Sequence, residues 1–203
     1  MSPSLKMARA WAAFLLLMVA GGCGGLHSDQ PVLQIYTLDP AYPQSKSPAP
    51  ANGASVLVVR PQAGPGLDTE RIALTRSPQR LDYYGSSRWP AQLPDFLQSL
   101  AVDALRASGK YASVQSDRAS FAADQVLQIE IRRFQAEYAG DAAPVVHVQL
   151  LATLGHRHDR SVVASVSAES SVPAAENRMP SVVAAFQSAL SAALSDLIGQ
   201  LPP

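Results

Sequence analysis

Residues 125–137 read QVLQIEIRRFQAE, and this stretch decides the fold of the chain. Apolar and polar residues alternate from Leu127 to Ile131, which is typical of a β-strand with one face turned to the core. After two consecutive arginines the apolar phase moves to Phe134 and Ala136. A change of phase by one residue inside a strand predicts a β-bulge at the arginines.

Two further runs repeat the alternation, at residues 146–154 and 162–168, with a polar turn at 155–159 between them. The three alternating runs predict an antiparallel meander. Upstream, the apolar, β-branched run at 55–60 predicts a central strand buried on both faces. The remaining strands are expected at 32–38, at 71–75 and 79–84 as a hairpin about Ser77-Pro78 that ends at Tyr83-Tyr84, and at 111–114.

Two stretches carry helical spacing instead. Leucines and alanines recur every three or four residues between Pro94 and Gly109, and a second stripe begins near Pro180 and includes Phe186 and Leu190. Proline suits the first turn of a helix, and glycine suits its end. The order of the elements predicts one α+β domain, a mixed, largely antiparallel β-sheet with two amphipathic helices packed on one face.

The N-terminus has the pattern of an export signal. Lys6 and Arg9 precede an apolar run at residues 10–20, which is shorter than the roughly 20 residues that a membrane-spanning helix needs. Small residues then lead to Cys23, the only cysteine, in a sequence similar to a bacterial lipobox. We therefore expect a lipoprotein signal peptide over 1–22, a tether over 23–31 and the folded domain over 32–203.

Cys23 is the expected lipidation site. By the resemblance to the lipobox, it carries a covalent diacylglycerol on its sulfur and an N-acyl lipid such as palmitate on its amino group, and no other cofactor is expected. Several acyl chains hold a protein on a membrane lastingly, at about 0.8 kcal/mol per buried CH2. Because Gly24 and not aspartate follows the cysteine, the resemblance implies the periplasmic face of the outer membrane. The alternative is a secreted protein cleaved nearby, with a free thiol.

Composition and motifs argue against several functions. The chain has 16 basic and 16 acidic residues with no basic run, so we expect no nucleic-acid partner. It lacks the nucleophile elbow of α/β-hydrolases, the phosphate-binding P-loop and the zinc-binding H-E-x-x-H helix, so we expect no enzyme and no catalytic residues; a hydrolase with an unrecognised site is the minor alternative. His156, His158 and Asp159 have metal-ligating side chains, but they fall in a polar turn, and no metal site is expected.

Tyr83, Tyr84, Arg88 and Trp89 form the densest aromatic patch of the sequence. Aromatic rings and arginine are the residue types that anchor protein interfaces and apolar ligands, so these four residues are candidates for contact with a partner protein or a lipid. The alternative is a corner between a strand and a helix, in which the tryptophan belongs to the core.

A family resemblance runs through six segments of the chain, which read IYTL at 35–38, VLVVRP at 56–61, GLDTERIA at 66–73, LDYY at 81–84, RW at 88–89 and SGKY at 108–111. In this order they resemble the ABC-type transport auxiliary lipoproteins, a family that includes paraquat-inducible protein C. The resemblance implies a non-enzymatic, outer-membrane-anchored component that works with an MCE-domain protein and inner-membrane transporter subunits in moving lipids. An envelope-assembly lipoprotein that activates a cell-wall or outer-membrane biogenesis machine is the alternative, and a homo-oligomer is left open.

Overall fold

The sheet is built around residues 125–137, the stretch in which apolar and polar residues alternate. The computed structural model describes residues 32–42, 50–77, 80–119 and 121–203. Within these residues the elements are β1 (Gln34–Ile35), β2 (Ser55–Val58), β3 (Gln62–Ala63), β4 (Arg71–Ser77), β5 (Arg80–Arg88), α1 (Leu93–Ser108), β6 (Ser113–Ser116), β7 (Gln125–Glu137), β8 (Val145–His156), β9 (Val162–Pro173) and α2 (Met179–Gln200).

β7 is the long strand that the sequence predicts, with the predicted limits. It pairs antiparallel with β8 along its length, and β8 pairs antiparallel with β9, so the meander is confirmed. The register of β7 on β8 shifts between Ile131 and Arg133, which confirms the bulge. Because of this extra residue, Ile131 and Phe134 both point to the core, where they are 0% and 1% exposed.

The other side of β7 is shared by three shorter strands laid end to end. β2, β3 and β4 each pair with it in parallel, near Leu127, Ile131 and Ala136 respectively. β6 and β5 extend the sheet outward, which gives the order β1-β5-β4-β7-β2-β6. The sheet is therefore mixed, as predicted.

Two of the strand predictions need correction. β2 has a neighbour on each side, but it is not buried on both faces: Val56 and Val58 are buried, while Leu57 is half-buried on the face that carries no helix. The predicted hairpin is formed by β4 and β5. β5 does not end at the tyrosine pair, because it continues to pair as far as Arg88. The turn of this hairpin lies partly outside the described residues.

The two outer strands are shorter or shifted relative to the prediction. β1 pairs with β5 over Gln34–Ile35 only, and Leu38 beyond it is buried in the core. β6 begins two residues later than predicted, at Ser113. Tyr111 packs into the core instead, and its hydroxyl donates to the Pro202 carbonyl oxygen over 2.8 Å.

α1 confirms the predicted helix between its proline and its glycine. It begins at Leu93 with Pro94 in the first turn, and it ends where Gly109 adopts a left-handed φ of 63°. A side chain would strain the backbone at that angle, so glycine ends the helix at little cost. Leu97 and Leu105 lie on its buried face.

α2 confirms the predicted C-terminal helix. By length and composition it is apolar enough to cross a membrane, but half of its most apolar window is buried inside the domain. Phe186, Leu190 and Leu197 are fully buried, and the helix packs on β8 and β9. This burial is typical of a core helix. Residues 33–203 form one compact unit, and the α+β fold class with two helices on a mixed sheet is confirmed.

Candidate functional site

The predicted lipidation site lies outside the described residues. Cys23, the signal peptide over 1–22 and the tether over 23–31 precede the first described residue, Val32. The anchor therefore stays a prediction from the sequence. The described surfaces concern the folded domain alone.

Trp89, one of the four predicted contact residues, belongs to the core. It is 2% exposed, and its ring meets Phe96, Phe134 and Phe186 at centroid distances of 5.8, 5.8 and 5.3 Å. The contacts with Phe134 and Phe186 are edge-to-face, a favourable geometry for aromatic pairs. A partner cannot reach this ring, so the prediction of a contact role is wrong for Trp89 and the core alternative holds.

Tyr84 is half-buried and held by a chain of hydroxyl groups. Its hydroxyl donates to the Tyr138 hydroxyl over 2.9 Å, and Tyr138 donates to the Asn177 side-chain oxygen over 3.0 Å. Burial raises the pKa of Tyr84 well above its ordinary value, with the hydrogen bond to Tyr138 acting in the same direction. Tyr84 is therefore a neutral hydrogen-bonding group at any physiological pH.

Tyr83 and Arg88 keep part of their surface accessible. The Tyr83 hydroxyl donates to the Gly66 carbonyl oxygen over 2.9 Å, and the Arg71 guanidinium lies 3.9 Å from the centre of the ring. Arg88 forms an ion pair with Glu70. These contacts fix the loop before β4 against the hairpin, and a contact role for Tyr83 and Arg88 stays a prediction.

The polar turn between β8 and β9 is ordered by its own side chains. The Asp159 carboxylate accepts hydrogen bonds from the Ser161 amide at 2.9 Å and from its hydroxyl at 2.7 Å, which lower the pKa of Asp159. Arg160 takes a left-handed φ of 60°. Among the described residues, no group of three or more His, Cys, Asp or Glu side chains could hold a metal ion. His156, His158 and Asp159 are all exposed to solvent at this turn.

Sequence reasoning missed the concave surfaces near the start of β7. Three shallow depressions there share Arg157 in their lining, and all three are open to solvent. Phe121 lines one of them and is 79% exposed. The sequence around Phe121 has no periodicity, so the only available signal was a lone aromatic residue in a loop.

The comparisons with known proteins agree with the fold. A family model described as ABC-type transport auxiliary lipoprotein component matches residues 36–198. Protein XCC0632 from Xanthomonas campestris, assigned to the DUF330 family model, is 31% identical, with a TM-score of 0.73, and the match covers 82% of this chain and 93% of that one. No curated protein matches the chain.

Two further solved structures are more distant. The PelC dodecamer from Paraburkholderia phytofirmans is 22% identical, with a TM-score of 0.46, over 79% of this chain and 97% of that one. Lipoprotein GNA1162 from Neisseria meningitidis is 17% identical, with a TM-score of 0.40, over 72% and 96%. At these values they carry no argument about function or assembly. The family model matches most of the chain, and the Xanthomonas structure is 31% identical to it. This chain therefore belongs to the ABC-type transport auxiliary lipoprotein components, a family of transport components and not of enzymes.

Proposed function

We propose that this chain is an outer-membrane-anchored adaptor, facing the periplasm, which docks an MCE-domain protein and an inner-membrane ABC-type transporter that move lipids between the two membranes. The observation that carries the proposal is the family match over residues 36–198. The lipobox-like sequence that ends at Cys23 precedes this match and would supply the anchor.

A docking role is consistent with the physics of lipid movement. A lipid in water exposes its acyl chains at a cost of about 0.8 kcal/mol per CH2, so it has to travel inside a protein conduit that is held at its destination. The depressions around Arg157 are open to solvent and do not have the shape that encloses acyl chains. Open surfaces of this kind are consistent with an adaptor that holds the conduit in place.

The test is affinity purification of the full-length lipidated protein in mild detergent, followed by identification of the recovered proteins and lipids. We expect an MCE-domain protein and ABC-type transporter subunits. The matched control is Cys23→Ala, which removes the acceptor of the lipid and leaves residues 32–203 unchanged. This variant should leave the outer-membrane fraction and fail to support transport.

Three outcomes count against parts of the proposal. If Cys23→Ala still fractionates with the outer membrane, the anchor is wrong. If the lipidated protein fractionates with the inner membrane, the assigned membrane is wrong. If the recovered proteins belong to a cell-wall or outer-membrane biogenesis machine, the envelope-assembly role replaces the transport role.

A further inference from the structure

β9 ends the sheet with a long row of backbone groups that pair with no second strand among the described residues. Among the described residues it pairs only with β8, although it is 12 residues long. The outer N–H and C=O groups of such an edge strand are a template for another strand, and proteins usually shield them with charges, prolines or bulges.

Two hydrogen bonds show which β9 residues direct their backbone outward. The Ala174 N–H donates to the Pro144 carbonyl oxygen over 2.8 Å, so the residue after the end of β9 faces the β8 side. Because backbone direction alternates along an antiparallel ladder, the odd-numbered residues point away from β8. The Gln200 side-chain amide confirms this, since it donates to the Ser167 carbonyl oxygen over 3.1 Å. Apart from Pro173, which has no N–H, the outward residues in the regular part of the strand are Ser165, Ser167, Glu169 and Ser171.

The usual shielding devices are missing along this row. The register on β8 is regular from residue 164 to residue 173, so no bulge twists the edge away. Glu169 is the only charged residue of β9, and the only proline is at its last position, Pro173. The outward residues are exposed, and their neighbours, among them Ala164 and Val166, are small or β-branched. This composition favours flat strand pairing.

We propose that the outer edge of β9, from Ser165 to Ser171, is the docking site for an extended segment of the partner protein, which adds a strand to the sheet. The partner's carbonyl oxygens would accept from the outward N–H groups, and its N–H groups would donate to the outward carbonyl oxygens, displacing Gln200 from Ser167. A row that alternates donors and acceptors at strand spacing matches a peptide backbone and matches neither acyl chains nor a lipid headgroup. The inference rests on the proposed docking function and says where and how the partner binds.

Hydrogen exchange of the purified complex tests the proposal, with the full-length lipoprotein alone as the reference. The amides of Ser165, Ser167, Glu169 and Ser171 should exchange rapidly in the free protein and become protected by about tenfold or more in the complex. The even-numbered amides of the same strand, which bond to β8, should be slow in both states and serve as internal controls.

Two variants separate the backbone from the side chain at one position. Ser167→Pro removes an outward N–H and leaves the β8 ladder intact, since that N–H does not bond to β8. Ser167→Ala is its matched control, because it removes the hydroxyl and keeps the N–H. We expect Ser167→Pro to reduce the recovery of the transporter components by about tenfold and Ser167→Ala to recover them like the wild type, with circular dichroism showing that both variants fold.

The outcomes distinguish this inference from the proposed function. If the transporter components co-purify while the four outward amides stay unprotected, or if folded Ser167→Pro binds like the wild type, the edge is not the docking site and the proposed function stands. Protection that rises with protein concentration in the absence of the partner assigns the edge to a second copy and also overturns the proposal. If no transporter component co-purifies with the wild type, the proposed function fails, and the edge inference falls with it.

Discussion

The substitution Trp89→Ala is expected to destabilise the domain strongly. The tryptophan is 2% exposed and contacts three phenylalanine rings at 5.3 to 5.8 Å. Replacing a buried tryptophan with alanine removes its burial and leaves a cavity, and such changes cost about 3–5 kcal/mol. A domain of this size has a free energy of unfolding of about 5–15 kcal/mol. At about 2–4 °C per kcal/mol, the variant should melt roughly 6–20 °C below the wild type.

The assay is unfolding of the chain from residue 24 onward by guanidinium and by heat, each monitored by far-UV circular dichroism. The chain has two tryptophans, Trp11 and Trp89, so only Trp89 is present in this form, and its fluorescence reports directly on the core. Wild-type emission should be blue-shifted and resistant to quenching by acrylamide. Tyr83→Ala is the comparison, because it removes a half-buried ring and one hydrogen bond, which is expected to cost about 1 kcal/mol.

A loss of less than about 1 kcal/mol for Trp89→Ala, combined with wild-type emission typical of a tryptophan in water, would refute this prediction. That result would place the ring at the surface. It would also restore Trp89 as a candidate contact residue beside Tyr83 and Arg88.

Three further predictions concern single contacts. The Lys110 ammonium donates to the carbonyl oxygens of Ile198 and Leu201, at 2.6 and 2.8 Å, at the C-terminal end of α2. Lys110→Met should therefore lower the free energy of unfolding by about 1–3 kcal/mol. An unchanged denaturation midpoint would contradict this prediction. The Ser55 hydroxyl and amide lower the pKa of Asp124 below 3.8, so its contribution to stability is present above about pH 4 and lost as the pH falls through the lower, folded value. Ser55→Ala should raise this pKa toward 3.8, and carboxyl NMR titration measures it, with an unmoved pKa as the contrary result. Burial, assisted by Arg133, lowers the pKa of His147 below 6.5, so the folded state resists protonation and the free energy of unfolding should fall as the pH drops below that value. His147→Gln should remove this dependence on pH, which urea titrations at several pH values measure. A dependence that persists in the variant would assign it to another group.

The fold could be predicted where each residue's environment depends on its own strand or helix. Along β7 the alternation from Leu127 to Ile131 records which side chains face the helices, and the change of phase at the arginines records the bulge. Gly109 marks the end of α1 for an equally local reason, its left-handed φ. In each case the physical cause lies within a few residues of the pattern that reveals it.

The rest depends on neighbours that are distant in the chain. The side chains of β7 alternate in the same way whether its second neighbour is parallel or antiparallel, so the three strands that share its far side could not be predicted from it. As a sequence, Trp89 was compatible with a surface contact as well as with a core corner. Its contacts with Phe134 and Phe186, from a strand and a helix much later in the chain, place it in the core.

The outer edge of β9 combines both kinds of information. Its alternation correctly predicted a strand, but alternation of side chains says nothing about whether the backbone on either side is paired. Ser165, Ser167 and Ser171 gave the one available signal: they lie two or four residues apart on one face of a strand that has a single charged residue. In an edge strand, such a sequence leaves the backbone open to another strand, because none of these side chains repels or obstructs it. For a domain whose proposed task is to hold a partner, an unshielded edge is therefore consistent with function, and the Ser167→Pro and Ser167→Ala pair tests this one backbone group directly.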